Sequence, residues 1–553
     1  CPLCQPLTRV EYDSDGRVAG IFDALGNAVT QAVDLENNTE IIADRMGNET
    51  RLVYDDRGNI VAETDPLGNT TSYAYDAADN VVSVTDARGH ETTFAYDTAG
   101  NATRVTDPAG NTWIAAYNEF NQITAATDAL GRTTTYTYDA AGNLTGMVNA
   151  AGDFSALDRD AAGRVTRISD ALGNPIAAFT YGAAGLPVTA TAPGGGLRQF
   201  AYNAFGMATR YTDEAGGELS FTYDATGKVL SINDTAGGET AFAYEAARIT
   251  SVTDGLGRAT GFEYDAANRP IQEIDPLQGV TQLAYDANHR VTAVTDPLGR
   301  TATSLYDELG RVRSTTDAAG GVTSYDYDAV GNVIAVTDPL GRTTRLAYDA
   351  LDRVVRIVDP AGGETAFTYD PLGNVLTSTD PLGRTTRYAY DRLNRLTHVV
   401  DPAGGVVRFR YDAEGNLLAE TDRNGHTIAY EYDDRKRLVR VNDPSGASLQ
   451  YSYDAAGHVA AATDPAGAVT QYSYDTAGRL VSLTDPLGGL STWTYDVAGH
   501  VLTASDPLGR TTAYAYDDLD RLVSVTDPAG GQTAYTYDAA GNLTELTDPL
   551  GNL

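Results

Sequence analysis

One short pattern, an Asp followed by two residues and then a Gly, recurs from one end of the chain to the other. The stretch from Tyr537 to Gly551 reads YDAAGNLTELTDPLG and contains two copies. Aligned on its Tyr-Asp dipeptide, the 553-residue chain divides into about 26 units with a 21-residue period. A fixed period of this size is typical of arrays in which each unit packs mainly on its neighbours. We therefore expect a single repeat domain over residues 12–553.

The repeat changes register twice. The interval from Asp160 to Gly182 is one residue longer than the interval before it, and the interval from Glu245 to Asp265 is one residue shorter than the period. Because both slips are followed by normal repeats, we expect the array to continue through residues 160–182 and 245–265.

Residues 1–11 are predicted to form a lead-in that contains a Cys-x-x-Cys pair. Cys1 and Cys4 are the only cysteines of the chain. We interpret them as two terminal thiols or one local disulfide, with a redox pair, half of a zinc site and a lipid-modified terminus as alternatives. Since the sequence starts at Cys1 and not at Met, we expect a processed product or part of a longer protein.

Both turns of a unit have the residues that a type I turn favours. An Asp at the first position accepts hydrogen bonds from backbone amides, Pro at the second presets φ, and Gly at the fourth adopts a left-handed conformation. The predicted structural turn positions are Asp538, Gly541, Asp548, Gly551, Asp475 and Gly478.

In the turn after Tyr-Asp, the residues that replace Gly indicate a backbone requirement. Most are Asn, Asp or His, the residues that best tolerate positive φ. They are Asn37, Asp79, Asn121, Asn268, His289, Asp352, Asn394 and Asp520. Lys436 and the shortened unit at Arg248 do not match the rule.

The segments between turns predict β-strands. They are about seven residues long and rich in Thr, Val, Tyr and Phe, a strand composition. Before each Tyr-Asp the aromatic residues alternate with small or polar ones, which places them on one face of a strand. This predicted aromatic row includes Tyr495, Trp493, Tyr535 and Tyr537. The fold class is therefore all-β, built from tandem antiparallel hairpins.

The second strand of each unit is less regular. Leu543 and Leu546, like Val81 and Val84, are three residues apart. Strict alternation cannot put both members of such a pair on one face. Either a β-bulge follows the left-handed residue, or the first apolar side chain points past the end of the sheet.

Two strands in each unit give about 52 strands, and at ~4.8 Å between neighbours a flat ribbon would be about 250 Å wide. A sheet of that width twists, and a wet aromatic face would promote aggregation. We expect the ribbon to coil into a continuous spiral sheet or a hollow shell.

Charge and hydropathy exclude two classes of partner. The net charge is -36, from 75 acidic and 39 basic residues. Nucleic acid needs a positive surface, and an anionic membrane disfavours so acidic a chain. No apolar run approaches the ~18 residues that span a bilayer. We therefore expect no nucleic-acid binding and no membrane insertion.

No catalytic, cofactor-binding or metal-ligating residue is predicted, and we expect a protein that is not an enzyme. Turn aspartates of adjacent units are about 10 Å apart, whereas Ca²⁺ requires about 6 to 8 oxygens within ~2.6 Å. The six histidines fall at unrelated phases of the repeat or at turn positions, which favours solvated turn residues. They are His90, His289, His398, His426, His458 and His500.

Three roles are open for the tyrosine row. It can be a ladder of cross-strand aromatic contacts, an exposed platform for sugars or peptides, or the lining of a shell that holds unfolded cargo. The first role is expected for most of these residues and does not exclude the third for some of them.

The units YDAAGNLTELTDPLG, YDTAGRLVSLTDPLGG and YDAAGHVAAATDPAGA closely resemble the YD repeat of Rhs proteins. Shell components of insecticidal Tc toxins, wall-associated bacterial proteins and, more distantly, animal teneurins share this repeat. The resemblance implies a hollow hairpin shell that encloses a toxic polypeptide, and it implies a secreted or cell-surface location. The aspartyl autoprotease of many relatives cannot be assigned to any residue here.

Together these features predict the repeat region of a large secreted or surface bacterial Rhs-type protein. It is a non-enzymatic structural protein whose β-shell encloses or scaffolds a toxin or effector. The alternative is an extracellular adhesin or filament that binds carbohydrate or another cell surface. Expected partners are therefore polypeptide cargo or a cell-surface ligand, with self-association possible and no cofactor.

Overall fold

The computed structural model describes residues 8–170, 173–192 and 195–553. In these residues the chain forms 52 β-strands of one sheet, and they contain no α-helix. The prediction of an all-β fold made of tandem antiparallel hairpins is confirmed. Strand β1 begins at Thr8, before the predicted start of the array at Tyr12, while Cys1 and Cys4 lie outside the described residues.

The strands are five to seven residues long and follow one another with short turns between them. The first half comprises β1 Thr8–Tyr12, β2 Val18–Asp23, β3 Ala28–Asp34, β4 Thr39–Ala43, β5 Glu49–Tyr54, β6 Ile60–Thr64, β7 Thr70–Tyr75, β8 Val81–Thr85, β9 Glu91–Tyr96, β10 Ala102–Thr106, β11 Thr112–Tyr117, β12 Ile123–Thr127, β13 Thr133–Tyr138, β14 Leu144–Val148, β15 Phe154–Arg159, β16 Val165–Ser169, β17 Pro175–Tyr181, β18 Pro187–Thr191, β19 Leu197–Tyr202, β20 Ala208–Thr212, β21 Glu218–Tyr223, β22 Val229–Asp234, β23 Glu239–Glu245, β24 Arg248–Thr253, β25 Ala259–Tyr264 and β26 Pro270–Ile274. The second half comprises β27 Val280–Tyr285, β28 Val291–Thr295, β29 Thr301–Tyr306, β30 Val312–Thr316, β31 Val322–Tyr327, β32 Val333–Thr337, β33 Thr343–Tyr348, β34 Val354–Val358, β35 Glu364–Tyr369, β36 Val375–Thr379, β37 Thr385–Tyr390, β38 Leu396–Val400, β39 Val406–Tyr411, β40 Leu417–Thr421, β41 Thr427–Tyr432, β42 Leu438–Asn442, β43 Ser448–Tyr453, β44 Val459–Thr463, β45 Val469–Tyr474, β46 Leu480–Thr484, β47 Leu490–Tyr495, β48 Val501–Ser505, β49 Thr511–Tyr516, β50 Leu522–Thr526, β51 Gln532–Tyr537 and β52 Leu543–Thr547.

Most hairpins contain a β-bulge in the second strand, whereas β3 and β4 pair without one. In the last hairpin Tyr537 pairs with Leu543, but the preceding Thr536 pairs with Glu545, so Thr544 is the extra residue. The bulge shifts the alternation by one residue, and Leu546 consequently pairs with Tyr535. Both leucines therefore lie on the aromatic face. Of the two explanations for their three-residue spacing, the bulge is correct.

Strands of neighbouring hairpins pair over a shorter length than strands of one hairpin. Between β50 and β51 the register runs only from Ser524 opposite Ala534 to Thr526 opposite Gln532. The half of β51 that approaches its Tyr-Asp dipeptide has no partner in this register. Adjacent hairpins therefore separate toward the turn that follows Tyr-Asp, where other contacts must join them.

We call the turn after the first strand of a hairpin the Tyr-Asp turn, represented by Asp538–Gly541. The turn after the second strand, represented by Asp548–Gly551, we call the Asp-Pro turn. The left-handed residue of the Tyr-Asp turn differs from the prediction in two units, where it is Asn38 in place of Asn37 and Ala246 in place of Arg248. Lys436 also has a left-handed φ of 61°, because the turn geometry overrides residue preference there.

The sheet has almost no fully buried core. Ala419, 8% exposed, is the one buried hydrophobic residue among the described part of the chain. Aromatic residues such as Tyr535 and Tyr537 are half-buried by neighbours in their own sheet, and the intervening Thr536 is exposed. Most side chains of the aromatic face are thus covered only from the sides, as expected for a wall one sheet thick.

The chain divides into two compact units. Among the described residues, the first contains 8–152, 264–272 and 281–405, and the second contains 153–170, 173–192, 195–263, 273–280 and 406–553. Each unit thus combines an early and a late stretch of the repeat array. This division was not predicted, and the predicted boundaries at residues 11 and 12 remain predictions.

Candidate functional site

The candidate site is the aromatic face together with the Tyr-Asp turns that border it. Trp493 and Tyr495 lie half-buried on β47, and Tyr535 and Tyr537 lie in the corresponding places on β51. Trp493 pairs across the hairpin with Ala504, and Tyr535 pairs with Leu546. The four residues of the predicted row therefore share one face with the apolar residues of the second strands.

In most hairpins the last tyrosine of the first strand is held by its hydroxyl. Tyr537 donates to the carbonyl oxygen of Leu522 at 2.9 Å, and Tyr495 donates to that of Leu480 at 2.7 Å. The acceptor is the first residue of the second strand in the preceding hairpin, where strand pairing between hairpins has ended. The same bond to a carbonyl 15 residues earlier is made by Tyr75, Tyr96, Tyr117, Tyr202, Tyr306, Tyr348 and Tyr432.

These hydroxyls are hydrogen-bond donors rather than bases. Burial raises the pKa of Tyr516, and the nearby Tyr514 and Asp496 raise it further. Burial and the carboxylate of Asp328 raise the pKa of Tyr348 in the same way. A tyrosine with a raised pKa stays protonated at neutral pH, so it supplies a proton to the carbonyl bond and no anion for chemistry.

The Tyr-Asp turn is closed by its aspartate. Asp538 Oδ1 accepts hydrogen bonds from the backbone amides of Ala540 at 3.0 Å and Asn542 at 2.9 Å. Its Oδ2 accepts one from Asn542 Nδ2 at 2.8 Å. Gly541, with φ of 84°, donates its amide to the Asp538 carbonyl. The carboxylate thus satisfies amides that the reversing backbone cannot pair.

The other predicted turn residues adopt the same arrangement. Asp548 accepts from the Leu550 and Asn552 amides, and Gly551 has φ of 80°. Asp475 accepts from the Ala477 amide and from the backbone and side chain of Arg479, while Gly478 has φ of 76°. Burial alone would raise the pKa of Asp475, but the hydrogen bonds from Arg479 outweigh it and lower the pKa.

Successive Tyr-Asp turns are connected by the residue that directly follows each turn. Arg521 donates from Nε to Asp517 Oδ2 at 2.7 Å and from Nη1 to the Asp538 carbonyl of the next hairpin at 3.0 Å. Its guanidinium lies 4.7 Å from the centre of the Tyr537 ring. One side chain therefore joins its own turn, the next turn and the tyrosine between them. We call this set of contacts the lateral ladder.

Asn and His replace Arg in some units and make related contacts. Asn101 Nδ2 donates hydrogen bonds to Asp97 Oδ2 in its own turn and to Asn121 Oδ1 in the next Tyr-Asp turn. His500 lies 2.8 Å from Asp496 and stacks on Tyr516 with ring centres 4.7 Å apart.

Four of the six histidines lie at turn positions, which is one of the two placements that the sequence predicted. His90, His426, His458 and His500 each follow a turn aspartate by four residues and pair with it. His500 is also largely buried, which corrects the expectation of solvated turn residues.

In some units the Tyr-Asp turn has a close neighbour beneath its left-handed glycine, although a Cβ on Gly499 or Gly541 would meet nothing within 4 Å. A Cβ built on Gly478 would be 2.9 Å from Nε2 of His458, which belongs to the lateral ladder of the preceding hairpin. A Cβ on Gly310 would be 3.0 Å from Arg290. In contrast, a Cβ on Gly488 or Gly551 in Asp-Pro turns would meet nothing within 4 Å.

The lateral ladder was missed by sequence reasoning, which considered the first and fourth residues of each turn. A signal was available, because the position four residues after the Tyr-Asp aspartate is Arg, Asn or His in most units. The side chains of these three residue types carry planar hydrogen-bond donors that can extend to the next hairpin. The periodic recurrence of a long planar donor beside an aromatic row would have identified the ladder.

The described residues contain neither a metal-binding cluster nor a membrane-spanning helix. Across residues 8–170, 173–192 and 195–553, no cluster of three or more His, Cys, Asp or Glu side chains could hold a metal ion. In the same residues no helix has the length and apolar character needed to cross a membrane. The carboxylates of turns such as those at Asp538 and Asp517 accept hydrogen bonds from backbone amides and from ladder side chains.

Two family models match the repeats that carry this site. The model described as RHS Repeat matches residues 54–91, 75–112, 117–153, 159–197, 202–246, 248–280, 269–301, 285–322, 306–335 and 327–365, which together make up more than half of the chain. The chain belongs to the RHS repeat family. A second model, Teneurin YD-shell, matches residues 363–544 of this RHS repeat protein. No curated protein matches the sequence of this chain.

Solved structures similar to the RHS repeat chain include Tc toxin complexes. The crystal structure of TcdB2-TccC3-Cdc42 is similar over 98% of this chain and 32% of the other, with a TM-score of 0.46 and 14% identity. TcdB2-TccC3 has a TM-score of 0.45, 15% identity and coverages of 98% and 33%. The Photorhabdus luminescens Tc holotoxin pore has a TM-score of 0.42, 15% identity and coverages of 98% and 32%. The chain spans about a third of the length of these solved chains.

Proposed function

We propose that this RHS repeat chain is the wall of a β-shell that encloses or scaffolds a polypeptide toxin or effector in a large exported bacterial protein. The observation that carries the proposal is a sheet of 52 strands that buries one hydrophobic residue among its described part. A sheet with an apolar face normally covers it with a second layer. Here the aromatic face is left for a polypeptide that is not part of the sheet.

The chemistry of that face suits an unfolded polypeptide. The hydroxyls of the tyrosines that end the first strands already donate to backbone carbonyls, as Tyr537 does to Leu522. The rings therefore present mainly apolar edges and surfaces, which attract many different side chains without selecting one sequence. The turn aspartates are likewise occupied by backbone amides, so the wall itself offers few reactive groups. We infer a structural, non-catalytic role at a secreted or cell-surface location.

Trp113 and Trp493, the only two tryptophans, allow a direct test. Both lie on the aromatic face of a first strand. Trp113 is four residues before the final tyrosine of its strand, and Trp493 is two residues before it. Adding a permanently unfolded protein that contains no tryptophan, reduced and carboxymethylated ribonuclease A, should shift their emission to the blue and reduce quenching by acrylamide about twofold. Burial of an indole face from water is the physical reason.

The matched control is the same unfolded protein after it has been digested to short peptides, which should have a much smaller effect. Unchanged emission with intact unfolded protein would overturn containment on this face. A response to soluble oligosaccharides, but not to unfolded protein, would favour the alternative role as an adhesin.

A further inference from the structure

Within each compact unit, the Asp-Pro turns of the early stretch lie against the Tyr-Asp turns of the late stretch. In the first unit these stretches are residues 8–152 and 281–405. Arg132, at the end of an early Asp-Pro turn, donates from Nη1 to the Arg392 carbonyl at 2.8 Å and from Nη2 to Asn394 Oδ1 at 3.2 Å. An arginine at the edge formed by the early Asp-Pro turns thus donates hydrogen bonds to carbonyl and carboxamide oxygens at the edge formed by the late Tyr-Asp turns.

The same contact recurs along the first unit. Arg88 Nη1 lies 3.3 Å from Asp328 Oδ2. Asn288 Nδ2 donates to Asp44 Oδ2 at 2.6 Å, and His289 Nε2 lies 2.8 Å from the nearly buried carboxylate of Asp23. These contacts join two edges whose partners are more than 200 residues apart in sequence.

The second unit repeats the arrangement with the same polarity. Its early stretch is residues 153–263 and its late stretch is residues 406–553. Arg258 Nη1 donates to Asp520 Oδ1 at 2.6 Å, and its Nη2 lies 2.5 Å from Asp254 of its own turn. An early Asp-Pro turn again meets a late Tyr-Asp turn, so one kind of interface is formed twice.

The late Asp-Pro turns have the same residues but no such cover. The arginine side chains of the docked turns, Arg132 and Arg258, are 12% and 10% exposed. Arg342, Arg384 and Arg510 follow late Asp-Pro turns, and each is 62% exposed. All five arginines pair with the aspartate of their own turn, so the difference lies in what covers the outer side of the guanidinium.

The leucines of Asp-Pro turns also differ in exposure between the early and late stretches, even where the four residues of the turn are identical. Asp-Pro-Leu-Gly occurs at residues 65–68 in the early stretch and at residues 338–341 in the late stretch. Leu67 is 43% exposed, whereas Leu340 is 76% exposed. Leu382, Leu487 and Leu508 in other late turns are at least as exposed as Leu340. From Leu340 onward the late Asp-Pro edge thus exposes a row of leucines and arginines, whereas Leu298, earlier in the same stretch, is 44% exposed.

The complementary edge is also free in the same chain. Phe120 and Phe205 occupy the third position of early Tyr-Asp turns and are 66% and 88% exposed. Leu351 and Leu393 occupy that position in late Tyr-Asp turns and are half-buried. Each unit therefore has one formed interface and both halves of a second one.

We propose that the free Asp-Pro edge of the late stretches binds the free Tyr-Asp edge of a second copy of this chain. The recognition is that of the formed interface: arginines donate to carbonyl and carboxamide oxygens, and leucines cover the turn residues. Because the two edges differ, the contact is heterologous and each added copy leaves one edge of each kind. Association therefore continues beyond a dimer.

The test measures the mass of the 553-residue protein by sedimentation velocity up to about 100 µM, which includes weak specific association. We expect the average mass to increase with concentration. Three substitutions on the Asp-Pro edge, Leu340→Asp, Leu382→Asp and Leu508→Asp, should weaken association at least about tenfold. Phe120→Asp with Phe205→Asp on the Tyr-Asp edge should do the same. Leu305→Asp, on an exposed strand position outside the turns, is the matched control and should change nothing.

Mixing the two edge variants provides the decisive measurement. Each variant retains one kind of working edge, so the mixture should associate although neither variant does so strongly on its own. This outcome also proves that both variants are folded. A native chain that stays monomeric over the whole range overturns the proposal. So does association that neither edge variant weakens, or a mixture that fails to associate although both variants keep the native circular dichroism.

Discussion

The Tyr-Asp turn and the Asp-Pro turn have nearly the same backbone but hold the molecule together in different ways. In the Asp-Pro turn at Asp506, Arg510 pairs with its own aspartate and is otherwise solvated. In the Tyr-Asp turn at Asp517, Arg521 pairs with its own aspartate and also reaches the next hairpin. The side-chain contacts between these hairpins therefore lie at the Tyr-Asp end of the strands, opposite the backbone pairing.

This asymmetry follows from the bulge and from the short pairing between hairpins. Backbone bonds join β50 to β51 only near the Asp-Pro turn, from Thr526 to Ser524. At the other end the separation of hairpins frees carbonyls such as that of Leu522, which the Tyr537 hydroxyl then satisfies. Side chains thus bond the backbone carbonyls that have no partner strand at this end of the hairpins. Substituting those side chains should therefore affect Tyr-Asp turns more than Asp-Pro turns.

The largest effect is expected from acid. Burial would raise the pKa of Asp517, but hydrogen bonds from Arg521 outweigh it and lower the pKa, and the Arg510 side chain lowers the pKa of Asp506. A carboxyl whose folded pKa is below its ordinary value of 3.8 stabilises the fold above that value and loses this contribution as pH falls through the folded pKa. Because many turns share this property, we expect cooperative loss of sheet circular dichroism below about pH 4.

The acid titration also compares the turns. Protonation of Asp517 weakens a contact that extends to the next hairpin, so amides beside Tyr-Asp turns should lose hydrogen-exchange protection before those beside Asp-Pro turns. Repeating the titration in high salt controls for the change in net charge. A sheet signal that persists to pH 2 would contradict the role of the carboxylates.

A somewhat smaller effect is expected from Gly478→Val. A β-branched residue is strained at φ of 76°, and its Cβ would lie 2.9 Å from His458 Nε2, so we expect a local loss of about 2–4 kcal/mol. Gly488→Val in the following Asp-Pro turn, with open space around it, should lose only about 1–3 kcal/mol. Hydrogen exchange of the peptides around each turn measures both values. Gly541→Asn, which tolerates positive φ, is the mild control; equal losses at Gly478 and Gly488 would contradict the lateral contact.

Sequence reasoning could predict the turns because their requirement is local. A left-handed residue three positions after an Asp is visible in the replacement of Gly by Asp79 or Asn268. The left-handed conformation of Lys436 and Gln278 could not be predicted in this way. The closed turn imposes a φ of 61° and 68° on them, although neither residue type favours a positive φ. The alternation of Tyr535 and Tyr537 similarly gave the aromatic face directly.

Contacts between hairpins were harder to predict because they depend on where pairing stops. The three-residue spacing of Leu543 and Leu546 indicated a bulge as one of two explanations, but it could not show that neighbouring hairpins separate. Without that separation, the Tyr537 hydroxyl has no visible acceptor and Arg521 has no reason to reach sideways. The docking of early Asp-Pro turns on late Tyr-Asp turns depends on the path of the whole sheet and has no local signal.

Removing one ladder hydroxyl should have a moderate effect. Tyr495→Phe deletes the bond to the Leu480 carbonyl and leaves a part-buried acceptor without its donor, a loss of about 1–2 kcal/mol. Tyr535→Phe is the matched control, because within the described residues the Tyr535 hydroxyl makes no hydrogen bond. Hydrogen exchange in β46 and β47 measures the difference. Equal stability of the two variants would show that the hydroxyl bond does not contribute to cohesion.

The smallest effect, and the most direct comparison of the turns, is expected from Arg521→Gln and Arg510→Gln. Both arginines donate from Nε to an aspartate at 2.7 Å, so loss of the local ion pair is common to both variants. Arg521 additionally binds the Asp538 carbonyl and covers Tyr537, and this difference should amount to about 1 kcal/mol. Arg510 is largely solvated, and an exposed pair of this kind contributes at most about 0.5–1 kcal/mol.

Hydrogen exchange around β51 is the critical measurement, because it lies in the hairpin that Arg521 reaches. In Arg521→Gln the protection of β51 should fall although no residue of that hairpin has changed, whereas Arg510→Gln should leave the following hairpin unaffected. An effect that stays within the substituted hairpin would mean that adjacent hairpins are joined by the three backbone pairs alone. Propagation into β51 would instead show that a side chain at the separated end carries cohesion from one hairpin to the next.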